Sequence, residues 1–245
     1  MDFKHFLLPC FIAGVQSILP QAPANINADN GSFGKQPMLQ FAFQQLASKQ
    51  LKRTEDFNIK GSRFLNRNFE MGAIYSREVL KSKSYMRYDA YNDEVQIKIN
   101  DSDTTNLVLR KDEDIYCVLS GKKMYYKNYY NKKKQIKGGY LFKIAETDSL
   151  ILFERRLKRF KDGKEPVSSF ELPVASRFVS GRELYYENKN SAKVYYLHTN
   201  KKAIFGLFNH NDTKAAKIKE FISKSKLNLK EPKSVAQVFF YYNTL

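Results

Sequence analysis

From about residue 71 onward, apolar side chains recur at every second position. In DEVQIKI, Val95, Ile97 and Ile99 alternate with Glu94, Gln96 and Lys98, the pattern of a strand with one buried and one wet face. Just upstream, Met86, Tyr88 and Ala90 alternate with Arg87 and Asp89. Between the two runs lies Asn92-Asp93, whose short side chains bond the local backbone and tolerate left-handed conformations. MRYDAYNDEVQIKI, residues 86–99, therefore reads as a hairpin. The same period continues through TNLVLR, EDIYCVLS, KKMYYKN, GYLFKIAE, SLILFERRLK, GRELYYEN and KVYYLH. Polar turns such as Ser120-Gly121, Thr147-Asp148 and Asn188-Lys189-Asn190 separate these runs, which predicts antiparallel meanders rather than βαβ crossovers.

The period becomes helical towards both ends. In PMLQFAFQQLASKQLKR, Leu39, Phe43 and Leu46 follow at spacings of four and three behind Pro37, which predicts an amphipathic helix docked on the main domain. At the other end, residues 212–226 place Ala215, Ile218 and Phe221/Ile222 on one face, behind Asp212 or Thr213 as cap. Residues 231–243 do the same with Val235, Val238, Phe239 and Tyr242, behind Pro232 in the first turn. An outer-membrane barrel also alternates, but it would normally close on a strand here. The expected fold is mainly β (α+β): an antiparallel meander forming a curved sheet or partly open barrel, with an N-terminal amphipathic helix and two C-terminal helices.

MDFKHFLLPCFIAGVQSILPQAPA, residues 1–24, has the order of a signal peptide: Lys4, an apolar run from Phe6 to Leu19, then small residues at Ala22 and Ala24. Pro9 interrupts that run, which is too short for a membrane span. Residues 25–36 are rich in Asn, Gly and Ser and read as linker. The division expected is thus 1–24 signal peptide, 25–58 linker plus helix, and 59–245 one β-rich domain. Cleavage would leave Cys117 as the sole thiol, so the mature chain would hold by packing and not by a disulfide.

The formal charge of +17 comes from 31 Lys and 11 Arg. Lysine is a hydrated point charge rather than a planar bidentate fork, so this balance favours loose attraction to anionic surfaces over precise nucleic-acid reading. The densest cluster is KKMYYKNYYNKKKQIKGGY, residues 122–140. It interleaves Lys122, Lys123, Lys127, Lys132, Lys133, Lys134 and Lys137 with tyrosines that include Tyr129 and Tyr130. Such a loop can track a polyanion, with ammonium groups for charge and rings for stacking, although a solvated hairpin tip is the plainer account. Arg155, Arg156, Lys158 and Arg159 form a second cluster that would extend the first only if the two share a face.

Catalytic motifs are missing. His198 and His210 lack HExxH spacing, and there is no GxSxG elbow or phosphate-binding glycine loop. Cys117, beside Ile115 and Leu119 in IYCVL, reads as a packed thiol. NDSDTTN, residues 100–106, lacks the glycine and bidentate glutamate of a calcium loop and reads as a turn. No catalytic residue, cofactor or metal site is expected.

GSRFLNRNFEMGAIY, MRYDAYNDEVQIKI and the ending KIKEFISKSKLNLKEPKSVAQVFFYYNTL resemble a family of exported proteins of Bacteroidetes-type bacteria. Its members carry a "GSPYLN…F…G.VY" opening, an "LRYNIYNDE.EF" hairpin and a "YYN.L" close. The resemblance spans roughly residues 60–245, with Arg63 where proline is usual and Met86 where leucine is. It implies export and a β-rich body with C-terminal helices, and it carries no activity or site.

The leading expectation is a non-enzymatic protein of the periplasm or cell envelope, not integral to the membrane. It would bind an anionic glycan, lipid headgroup or protein partner. Three alternatives stand beside it: an apolar-ligand or lipid carrier with a pocket under the sheet, an envelope hydrolase, and a cytoplasmic nucleic-acid binder should the N-terminus be retained. Export argues against nucleic acid as a partner.

Overall fold

The computed structural model describes residues 45–52, 59–167, 170–208 and 212–245. The expected signal segment, the expected 25–36 linker and most of the expected N-terminal helix lie outside them. Eleven described strands form one sheet: β1 (Ala47–Lys52), β2 (Glu70–Ser76), β3 (Val79–Asp89), β4 (Glu94–Lys98), β5 (Thr105–Leu109), β6 (Ile115–Leu119), β7 (Lys122–Tyr130), β8 (Ile136–Glu146), β9 (Leu150–Lys161), β10 (Arg177–Asn188) and β11 (Lys193–Leu197). Three helices follow: α1 (Lys201–Leu207), α2 (Asp212–Lys224) and α3 (Pro232–Asn243). The fold is mainly β, as the alternation predicts.

Two antiparallel meanders build the sheet. β2 to β5 form the first and β6 to β11 the second, and antiparallel pairing of β2 with β6 joins them. β7 carries β8 along one edge, from Met124 to Tyr130. Its other edge is shared by β6, across Lys122 to Tyr125, and β11, which pairs in parallel at Tyr129–Val194 and Tyr130–Tyr195. The sheet therefore curls back on itself at one end and stays open at the other. It is mixed, curved and not a closed barrel.

The N-terminal helix is corrected in its second half. Residues 45 and 46 are helical, but Ala47–Lys52 pairs with β5 as an edge strand. The helical spacing of Leu39, Phe43 and Leu46 stops at Leu46, which reaches the core at 9% exposure. The unpaired backbone of β5 then captures the polar stretch behind it. The sheet thus begins ahead of residue 59. The other unforeseen element is α1, too short for a periodic signal, which Asn200 caps by accepting from the Ala203 N–H at 2.8 Å.

The 86–99 hairpin forms as β3 and β4, and its acidic residues are structural ties. The buried Asp89 carboxylate accepts from the backbone of Tyr91 (3.1 Å) and Asn92 (3.0 Å) and pairs with Arg63 at 2.8 Å. Asp93, at φ 56°, supplies the left-handed step of the turn. The paired glycines 138 and 139 follow from close packing. A Cβ on Gly139 would collide with the Asp93 carboxylate, and one on Gly138 with the Tyr126 hydroxyl.

Burial follows the two periods. Ile74, Met86, Tyr88, Val95, Ile97 and Met124 fill the core of the first meander. Ile204, Phe208, Ile218, Val235, Val238 and Phe239 seal the helices onto β8 to β11. Cys117 is fully buried, and burial pushes its thiol up to about 12, so it stays protonated and inert. Among the described residues, no helix is long and apolar enough to cross a membrane.

Candidate functional site

The two basic clusters meet, in part. A cleft of about 420 Å³ is lined by Tyr129, Asn131, Lys132, Lys133, Lys137, Gly138, Arg155, Glu183 and Tyr185. Register explains the meeting. Lys137 stands opposite Tyr129 in the β7–β8 ladder, and Glu183 stands opposite Arg155 in the β9–β10 ladder. Four cations and one carboxylate thus surround a space within the range of about 300–1,000 Å³ typical of small-molecule sites.

The lysines are presented by a constrained turn. Asn131 accepts on its side-chain oxygen from the backbone N–H groups of Lys133 (2.9 Å) and Gln135 (3.0 Å), and its carbonyl accepts from Lys134 N–H at 2.8 Å. Lys134 takes φ 61° at the tip, which leaves Lys132 and Lys133 on the cleft side and Lys134 off it. All three are exposed.

Arg155 forms the inner wall. Its guanidinium lies 3.6 Å from Asp93 and 3.4 Å from Glu183. Among the described residues its buried Nε–H has no hydrogen-bond partner. Burial opposes its charge, but Tyr129, Asp93, Tyr88 and Glu183 together outweigh that and raise its pKa, so it is cationic at any working pH. Glu183 also accepts from the Tyr185 hydroxyl at 2.9 Å and pairs with Arg159 at 3.4 Å. Burial pushes Tyr129 up to about 12, partly offset by Arg155, and it raises Tyr185 as well. Both phenols are therefore neutral donors.

The remaining candidates do not line the cleft, and strand alternation turns Arg156 and Lys158 away from Arg155. Arg156 faces away from Arg155, pairs with Glu154 at 2.8 Å, and lines with Lys122 a separate cavity of about 120 Å³. Lys127 pairs with Glu187 at 2.8 Å, Lys123 lies over the Tyr116 ring, and Lys158 donates to Ser180 at 2.9 Å. The tyrosine rings are largely taken up by one another. Tyr129 is 3% exposed and packs on Tyr185, and Tyr130 stacks on Tyr195 at 5.1 Å. What the cleft offers is charge and hydrogen bonds more than an open stacking platform.

Sequence reading missed Asn131, Glu183 and Tyr185. An Asn ahead of a lysine run is a turn signal that could have placed the first. Glu183 and Tyr185 become visible only through the β9–β10 register. His198 is exposed just past the end of β11, edge-on to Tyr196. No protein-family model, curated protein or solved structure matches the chain.

Proposed function

We propose that the protein is an exported, envelope-associated binding protein that acts without catalysis, holding an anionic ligand in the cleft between β7 and β10. The observation that carries this reading is the convergence of Lys132, Lys133 and Lys137, from the β7–β8 hairpin, with Arg155 of β9 around one cavity. Exposed ammonium groups attract an anion at long range, and a partly buried guanidinium in lower dielectric fixes it. Ligands of the matching charge are acidic glycans, anionic lipid headgroups and acidic protein segments. The order of the N-terminal segment and the family resemblance support export.

The test is retention on immobilised heparin of the chain carrying Lys132→Ala, Lys133→Ala and Lys137→Ala. Its control removes Lys201, Lys202 and Lys219, which are equally exposed. Loss of retention confined to the cleft triple supports the site. Equal loss in both triples would mean diffuse charge, with no cleft involved. The intact mass of native protein from the envelope fraction tests export separately.

A further inference from the structure

Glu183 is out of place in a site made only to attract anions. Its carboxylate lines the cationic cleft and is about one-quarter exposed there. A carboxylate offers roughly four lone-pair sites. Three are engaged: one firmly by the Tyr185 hydroxyl at 2.9 Å, two loosely by Arg155 and Arg159 at 3.4 Å. Acceptor capacity therefore remains on the cleft wall, beside the Arg155 guanidinium.

The chemistry of a group that can approach Glu183 is narrow. A second anion would meet the carboxylate's own charge. An ammonium would meet Arg155 and Arg159. A neutral hydroxyl meets neither penalty: it donates to Glu183 and accepts from an arginine N–H. The cleft lysines, two on the turn behind Asn131 and Lys137 at the start of β8, suit a carboxylate or sulfate carried elsewhere on the same molecule. The volume of about 420 Å³ exceeds what one inorganic anion fills.

We infer that the cleft takes a polyhydroxylated acid, an acidic sugar being the simplest class, and that Glu183 selects it over compact polyanions. This rests on the anion-binding reading of the cleft. Lys132, Lys133 and Lys137 hold the acidic groups, while Glu183 and Arg155 read the hydroxyls. Affinity for anions is set by the lysines, and the preference for hydroxyl-bearing ones by the glutamate.

The experiment is calorimetric titration of the full chain with trigalacturonate, tripolyphosphate and maltotriose at physiological salt, repeated with Glu183→Gln. The amide keeps an acceptor and the side-chain shape but removes the charge, and a thermal melt confirms that the variant is folded. The expected result is trigalacturonate binding at least about tenfold tighter than either other probe. Glu183→Gln should then narrow the preference over tripolyphosphate by about fivefold or more, because a like-charge penalty has gone. Tripolyphosphate binding the wild-type chain as tightly as trigalacturonate would sink hydroxyl selection and leave the cationic cleft standing. An unchanged preference in Glu183→Gln would remove Glu183 from the selection and overturn the inference. Failure of both anions to bind would overturn the cleft as an anion site, and this inference with it.

Discussion

Asp93, in the turn of the 86–99 hairpin, holds Arg155, in the wall of the cleft, at 3.6 Å. The other Asp93 oxygen accepts from the Tyr88 hydroxyl at 2.6 Å and the Tyr140 N–H at 3.1 Å. One carboxylate thus joins the first meander, β8 and β9. Asp93→Asn keeps an acceptor for Tyr88 and Tyr140 and tolerates the left-handed backbone, so it should cost only about 1–2 kcal/mol. Asp93→Ala leaves two buried donors unmet and should cost about 3–5 kcal/mol. Urea unfolding of the pair checks the order; equal losses would mean that the charge beside Arg155 carries the whole effect.

Lys134 sits at φ 61° without lining the cleft. Glycine adopts that backbone without the Cβ clash, so Lys134→Gly should raise stability by about 0.5–1 kcal/mol. Heparin retention should stay close to wild type, because the cations that face the cavity are untouched. A thermal melt and one salt gradient test both statements.

The Tyr140 hydroxyl is buried without a hydrogen-bond partner among the described residues, while its ring packs edge-on to Tyr88 and Tyr126. A desolvated, unpaired hydroxyl costs free energy that a ring hydrogen does not. Tyr140→Phe is therefore expected to be neutral or up to about 1 kcal/mol more stable. A clear fall in the unfolding midpoint would show that the hydroxyl has a bound partner, such as an ordered water.

Hydrogen bonds from Lys143 and Lys189 hold the Glu146 carboxyl below the ordinary glutamate value of 4.5. An acid with a depressed folded-state pKa stabilises the fold above its unfolded value. That contribution is lost as pH falls through the folded value. The side chain is 38% exposed, so the effect is small and screened by salt. Wild type should exceed Glu146→Gln in stability at pH 7, and the gap should close below about pH 4.5. A gap that does not narrow as pH falls from 4.5 would point to packing instead of charge.

Most of the sheet was legible because alternation is a local property. Val95, Ile97 and Met86 declared a buried face with no knowledge of their partners, and residues 231–243 declared a helix through Val235, Val238 and Phe239. The strand status of Ala47–Lys52 was hidden, because its cause is the open edge of β5, more than fifty residues further along. The cleft was half legible. A lysine-rich hairpin tip can be read from NKKKQIK, and the alternation of β9 already separates Arg155 from Arg156. Which of the two turns towards Lys137 depends on three strand registers, and Glu183 enters only through the last of them.

The parallel contact between β7 and β11 is two residue pairs long, and it joins segments between which three whole strands must already be in place. Hairpins close over a few residues, whereas this seam closes over the chain from Tyr129 to Val194, so it carries more loop-closure entropy than the hairpins beside it. Tyr129 belongs both to that short seam and to the cleft. A ligand touching both Tyr129 and Glu183 would act as a clasp between β7 and β10, the two strands that flank β11. Its binding should therefore slow amide exchange at Tyr130 and Tyr195.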